Sequence, residues 1–318
     1  MSEAAALEVR ALTRRFGELL AVDALTFDVH PGELFGLVGP DGAGKTTTLR
    51  MLAGVLPPSS GDATILGTSV ARQPERVKHD LAYMAQRFGL YGDLTVRENL
   101  DFYADLYEVP AAERPARYER LYRFSNLEPF SGRLAARLSG GMKQKLGLSC
   151  ALVHEPRVLL LDEPTFGVDP VSRRDLWIIV HEMVARGVTA IVSTAYMDEA
   201  ERFDRLALLH RGRVVALDTP AALQAGLADR LLGLRVDRVR AARDAALALP
   251  DVVRAAVFGE WLHVTVDDAA SAAPRLEGAL RAAGCTVFEQ RPLEPSLEDV
   301  FMDRVAEADA AGVPGSRP

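Results

Sequence analysis

The chain has 318 residues, 48% of them hydrophobic and 25% charged, with a formal net charge of −7 at pH 7. That length holds one large or two modest domains with ample core, and the acidic balance argues against a nucleic-acid partner, which would want a basic stripe. Two distant cysteines, Cys150 and Cys285, fit a reducing cytosol; the start Met1-Ser2-Glu3 does not read as a secretory leader, and no uninterrupted apolar run approaches the ~20 residues of a membrane span.

The first ninety residues read as strands around one helix. The apolar run Leu34–Val38 leads into Gly39-Pro40-Asp41-Gly42-Ala43-Gly44-Lys45-Thr46, the spacing of a phosphate loop, and a helical stretch from Lys45 through Thr47 to Ala53 follows, stopped by Gly54. Strand, loop and helix in that order are what the motif requires. The glycines let successive backbone N–H groups point inward, and the helix N-terminus adds positive potential for phosphate oxygens. Lys45 is expected to reach the outer phosphates of ATP and Thr46 to ligate Mg²⁺.

From about residue 93 to 137 the pattern turns helical and richer in Arg, Glu and Tyr. Leu138-Ser139-Gly140-Gly141 then opens a helix that runs through Gln144 to about His154, its N-terminus presenting a hydroxyl and free N–H groups suited to a γ-phosphate. Val158–Leu161 is a short continuous apolar run, the mark of a strand buried on both faces of a parallel sheet. Asp162 at its end is placed to hold the Mg²⁺ hydration shell opposite Thr46, and Glu163 to polarise an attacking water. A further strand, Val188–Val192, leads to Ser193-Thr194-Ala195, with a helix start from Tyr196 to Glu201.

After Leu217-Asp218-Thr219-Pro220 a second unit begins. Strand 231–236, helix 240–249, a hairpin of 252–258 and 261–266 around Gly259-Glu260, helix 272–283 and strand 286–290 give a β-α-β-β-α-β order, which predicts a small ferredoxin-like α+β domain over 221–305. Pro295-Ser296-Leu297-Glu298-Asp299-Val300-Phe301 reads as a capped amphipathic helix. Residues 306–318 are small and polar, the composition of a disordered tail.

The order of these segments resembles the nucleotide-binding subunits of ATP-binding-cassette (ABC) transporters, over about residues 5–220. The resemblance implies an α/β P-loop NTPase cassette with a mainly parallel sheet and a helical subdomain, spanning 1–220, using ATP and Mg²⁺. It implies that Phe16 stacks on adenine and that Gln86 touches the metal and the attacking water. It also implies that Ser139, Gly140, Gly141 and Gln144 serve nucleotide held by a second cassette packed head-to-tail, with Asp169 in the loop between subunits. Members of the family place a histidine where this chain has Ala195, and none of its six histidines is an obvious substitute. An alanine donates nothing to the γ-phosphate, and two readings follow. In the favoured one the site binds ATP well but hydrolyses it slowly while a partner with the histidine supplies most turnover; in the other Glu163 and Mg²⁺ suffice and the homodimer is active. Asymmetric pairs of one impaired and one intact site occur in the drug-exporter branch. The 295–301 segment resembles the closing motif of drug- and polysaccharide-type exporter ATPases. The expected partners are a separate transmembrane permease and a second cassette, and the expected location is the inner face of the cell membrane. Two rival readings are a soluble ABC protein acting on ribosomes or DNA and a non-hydrolysing regulatory subunit.

Overall fold

A computed structural model describes residues 4–86 and 88–310, and the chain divides into two compact units that meet within one strand, at Val214 and Val215. In chain order the first unit contains β1 (Leu7–Phe16), β2 (Leu19–Val29), β3 (Leu34–Val38), α1 (Lys45–Leu52), β4 (Ser60–Ile65), β5 (Thr68–Ser69), α2 (Pro74–Val77), β6 (Leu81–Met84), α3 (Val96–Leu106), α4 (Arg114–Ser125), α5 (Gly140–Leu152), β7 (Val158–Asp162), α6 (Pro170–Ala185), β8 (Thr189–Thr194), β9 (Arg205–His210) and the start of β10 (Arg213–Asp218). The expected α/β architecture is present. A small antiparallel sheet runs β2-β1-β4-β5, and a six-stranded sheet runs β10-β9-β3-β8-β7-β6. In the larger sheet β3 pairs in parallel with both β8 and β9, and β7 with both β8 and β6.

Every residue of β3, β7 and β8 is buried, because a parallel strand is covered on both faces. Three neighbouring strands therefore end at one edge of the sheet, and each end carries one motif: the phosphate loop after β3, the two acids at β7 and the Ser193–Ala195 segment at β8. Open α/β sheets bind ligands at this carboxyl edge. The helical stretch between residues 93 and 137 consists of α3, α4 and two 3₁₀ turns. Thr95 and Glu98 start α3 with a reciprocal capping box. The segment after Ala195 makes a 3₁₀ turn, Met197–Arg202, rather than an α-helix.

The second unit holds the rest of β10, then α7 (Pro220–Ala225), β11 (Leu231–Val236), α8 (Val239–Leu247), β12 (Val252–Phe258), β13 (Trp261–Val266), α9 (Ala269–Ala282), β14 (Val287–Pro292) and α10 (Leu297–Ala310). Its four strands lie in the order β12-β13-β11-β14, all neighbours antiparallel, which is the ferredoxin-like arrangement. Leu232, Leu234, Leu262 and Val264 point to one face and build a core with Ala242 and Ala246 of α8 and Leu276 and Leu280 of α9. Helix α9 starts three residues before the expected 272, because Asp268 accepts from Ser271 N and caps the earlier turn.

His263 alternates with Leu262 and Val264 and so faces the other side of the sheet. There its Nδ1 lies 2.8 Å from Asp299 Oδ1 of α10, and Arg254 Nη2 lies 3.7 Å from the same oxygen. The second Asp299 oxygen accepts from Ser296 N and Oγ, while Asp299 N donates to Ser296 Oγ, so the capping box read from 295–301 is formed with Asp299 as its acid. Helix α10 runs to Ala310, so residues 306–310 are helical and not tail. The remainder, 311–318, lies outside the described residues.

Candidate functional site: the phosphate loop and its acids

Helix α1 begins without a side-chain cap, at Gly44 with φ 101°. A Cβ at Gly44 would come within 2.7 Å of Ala21 O, so the position needs glycine for space as well as for conformation. The start of the helix, with its unneutralised N–H dipoles, is thereby left to a ligand. Lys45 folds back over the loop. Its Nζ donates to Gly39 O at 2.6 Å and Pro40 O at 3.0 Å and pairs with Glu163 Oε1 at 3.0 Å. Both partners are buried, Lys45 4% and Glu163 7% exposed, so the pair stands largely out of water. The other Glu163 oxygen accepts from Gln86 Nε2 at 3.0 Å. Glu163 itself has φ 48°, the left-handed region that non-glycine residues seldom occupy.

Asp162 collects three hydroxyl donors. Thr46 Oγ1 and Ser193 Oγ donate to Oδ1 at 2.9 and 2.8 Å, and Tyr83 OH donates to Oδ2 at 3.3 Å. Burial, reinforced by the Asp162 charge, pushes the Tyr83 hydroxyl up to about 12, so it stays protonated and keeps donating. Thr46 and Asp162 therefore present adjacent hard oxygens. Among the described residues no group of three or more His, Cys, Asp or Glu could form a metal cage. The Thr46 and Asp162 oxygens suit Mg²⁺, which takes one or two protein oxygens and fills its shell with water and phosphate.

Gly39, Pro40, Lys45, Thr46, Gln86, Asp162 and Glu163 are thus brought together. Asp41 and Gly42 stand exposed on the loop tip, Ala43 is buried beneath it and Thr47 is half-buried in α1. Phe16, at the end of β1, is 44% exposed with the Arg14 guanidinium 4.6 Å from its ring. The remaining candidates form a second constellation. Ser139 caps α5 through Met142 N, and Asp169 caps α6 by accepting from Val171 N and Ser172 N. The Ser172 bonds hold the Asp169 carboxyl below its ordinary value. Gly141 sits against this cap, where a Cβ would overlap Ser172 Oγ at 2.1 Å. Gly140 and Gln144 share with Gln86 an open cavity of about 490 Å³. Ala195 is half-buried and carries no polar side-chain atom.

Two residues in the Asp162 network were not legible as functional: Ser193 and Tyr83. Both precede or follow a motif, and only the adjacency of β6, β7 and β8 brings their hydroxyls to Asp162. A third, Glu199, is 2% exposed; it accepts from Trp177 Nε1 at 3.0 Å and Thr194 Oγ1 at 2.6 Å, and pairs with Arg173 Nε at 2.8 Å. This anchors the segment that carries Ala195.

Comparisons agree with the geometry. The profile of the ABC transporter family matches residues 22–166. The probable multidrug ABC transporter ATP-binding protein YbhF of Escherichia coli K12 is 42% identical over 314 residues, covering 98% of this chain and 54% of the relative. The chain thus spans about half the length of that relative and of its Shigella flexneri counterpart. The Nod factor export ATP-binding protein I of Paraburkholderia xenovorans is 38% identical over 302 residues, covering 94% of this chain and 96% of the relative. A solved ATP-binding subunit of an ABC transporter superposes with a TM-score of 0.64 at 34% identity, covering 70% of this chain and 92% of the other. With an uncapped phosphate-loop helix facing two acids, and these relatives along nearly its whole length, the chain belongs to the ATP-binding proteins of ABC transporters.

Proposed function

We propose that the chain is the ATP-hydrolysing subunit of an ABC exporter, closing as a head-to-tail dimer on ATP and driving a separate membrane permease. The observation that carries this is the single constellation of Lys45, Thr46, Gln86, Asp162 and Glu163 at one sheet edge. Lys45 would leave Glu163 for the outer phosphates, and the backbone around Gly42–Thr46 would hold the rest of the chain of phosphates. Thr46 and Asp162 would hold Mg²⁺, which neutralises phosphate charge when bound. Glu163, released from Lys45 and still bonded to Gln86, would accept a proton from the attacking water. Ser139, Gly140, Gly141 and Asp169 would complete the site of the second subunit, the role that the resemblance to ABC cassettes implies for them.

The names of the relatives, a multidrug transporter protein and Nod factor exporters, support export as the direction. No helix among the described residues is long and apolar enough to cross a membrane; the proposal assigns the path to the permease. Ala195 favours a refinement: this site turns over slowly, and a partner with a histidine there supplies most hydrolysis.

Glu163→Gln tests the proposal. It should abolish most turnover, by about 10² or more, while ATP binding persists and sedimentation shows an ATP-dependent dimer, alone or with a companion cassette. Monomers only, under both conditions, would remove the dimer mechanism.

A further inference from the structure

We infer that Ser193 is a positioning residue for both acids of the site, an inference that rests on the ATPase reading above. Ser193 is fully buried near the end of β8 and stands opposite Asp162 of β7 in parallel register. Its hydroxyl donates to Asp162 Oδ1 at 2.8 Å and accepts from Glu163 N at 3.0 Å. A hydroxyl has one proton and can accept on its lone pairs, so this one oxygen is used in both senses.

Each bond restrains something the chemistry needs. Asp162 Oδ1 also receives Thr46 Oγ1, and two hydroxyls converging on one oxygen fix the carboxylate plane toward the phosphate loop. Glu163 N sits on a residue with φ 48°, where the backbone is held only by what surrounds it. Its other partner is Ser193 O at 3.2 Å, so a single residue holds that amide twice. Ser193 makes no hydrogen bond to Lys45 or to the glycines of the loop. Its effect should therefore fall on metal and turnover rather than on nucleotide affinity.

The test uses the full chain with Ser193→Ala and Ser193→Cys, the latter close to serine in volume but a poor donor and acceptor. Calorimetry measures ATP binding in EDTA and across a Mg²⁺ titration, and steady-state assays give kcat and KM. Both variants should raise the Mg²⁺ concentration needed for half-maximal enhancement of binding about tenfold and lower kcat about tenfold, the scale on which residues supporting a metal ligand act. ATP affinity in EDTA and KM should stay unchanged. Wild-type behaviour of the cysteine variant would assign Ser193 to packing and overturn the inference, as would a wild-type Mg²⁺ requirement in both variants. If the alanine variant does not fold, the cysteine variant decides. Should wild type bind ATP without turning it over, the ATPase reading fails, and the Mg²⁺ titration alone judges Ser193.

Discussion

Each unit of this chain buries opposite charges against a sheet, and the two do so for different ends. In the first, Lys45 and Glu163 pair at the mouth of a helix that has no cap, and Glu163 holds a left-handed backbone. In the second, Arg254, His263 and Asp299 meet between the sheet and α10, and the second Asp299 oxygen is consumed by the capping box with Ser296. Burial pushes Asp299 up, but the bonds from His263 and Ser296 outweigh it and hold the carboxyl below its usual value. One arrangement leaves a helix start and a movable cation to a ligand. The other spends its carboxylate on fastening a helix. A buried ion pair alone therefore does not mark a functional site; what accompanies it does.

The sharpest way to break this contrast is Lys45→Ala. Losing the Lys45 ammonium should weaken Mg-ATP binding by about a hundredfold or more in a chain that still folds. Unchanged affinity by calorimetry would put the cluster on a par with the structural one. The counterpart is Asp299→Ala, which leaves the buried Arg254 without this counter-charge and His263 Nδ1 without its hydrogen-bond partner. It should cost about 3 kcal/mol of stability in urea melts, with ATP affinity unaltered. Replacing Arg254 and Asp299 together by leucine should cost less than the single change, because the buried charge disappears with its partner. A double variant weaker than the single would count against the ion-pair account.

Acid separates the units next. His154 lies stacked 3.9 Å from the Tyr107 ring, and burial lowers it to about 4 from 6.5. Between those values the unfolded chain binds a proton that the folded chain does not, so the first unit loses stability as pH falls from about 6.5 to 4. The loss should be on the order of 2 kcal/mol. In the second unit Asp299 works lower: its depressed value preserves stability above the ordinary carboxylate range and loses it only as pH falls through the folded value. Burial raises Asp303, with Arg230 partly opposing, so that group favours the folded state as acid is added. Melts of wild type and His154→Leu between pH 4 and 7 check this; an equally steep loss in the variant would show that His154 is not its source.

The smallest expected effect concerns Ala195. Ala195→His should raise ATPase activity about tenfold, restoring part of an electrostatic contribution that single donors make to such transition states. A wild-type homodimer that already turns over briskly, with no gain from the histidine, would show that another group serves in its place and would remove the asymmetric-pair refinement.

Much of the site was legible because its motifs are local. The phosphate loop announces itself by glycines whose backbone conformations few other residues tolerate, and Asp162 and Glu163 by their place after a fully apolar run. The second unit was legible in outline for the same reason: alternation in β11 and β13 and the turn at Gly259 are short-range signals. The start of α9 was less so: the cap by Asp268 on Ser271 N is a detail that the apolar pattern from 272 onward does not carry.

What the sequence by itself determined is the set of groups on offer: a glycine-rich loop of phosphate-loop spacing, the oxygens of Thr46 and Asp162, the Glu163 carboxylate, and the lack of a histidine at 195. Only the tertiary structure decided which groups share an oxygen. Thr46 and Asp162 are 116 residues apart, and Asp162 and Ser193 are 31 apart; they meet because β3, β8 and β7 lie side by side. The same holds for Arg254 and Asp299, joined across 45 residues by α10 closing on the sheet. Strand order is set by the burial of whole faces, summed over many apolar residues, and so no single residue or spacing in the chain records it.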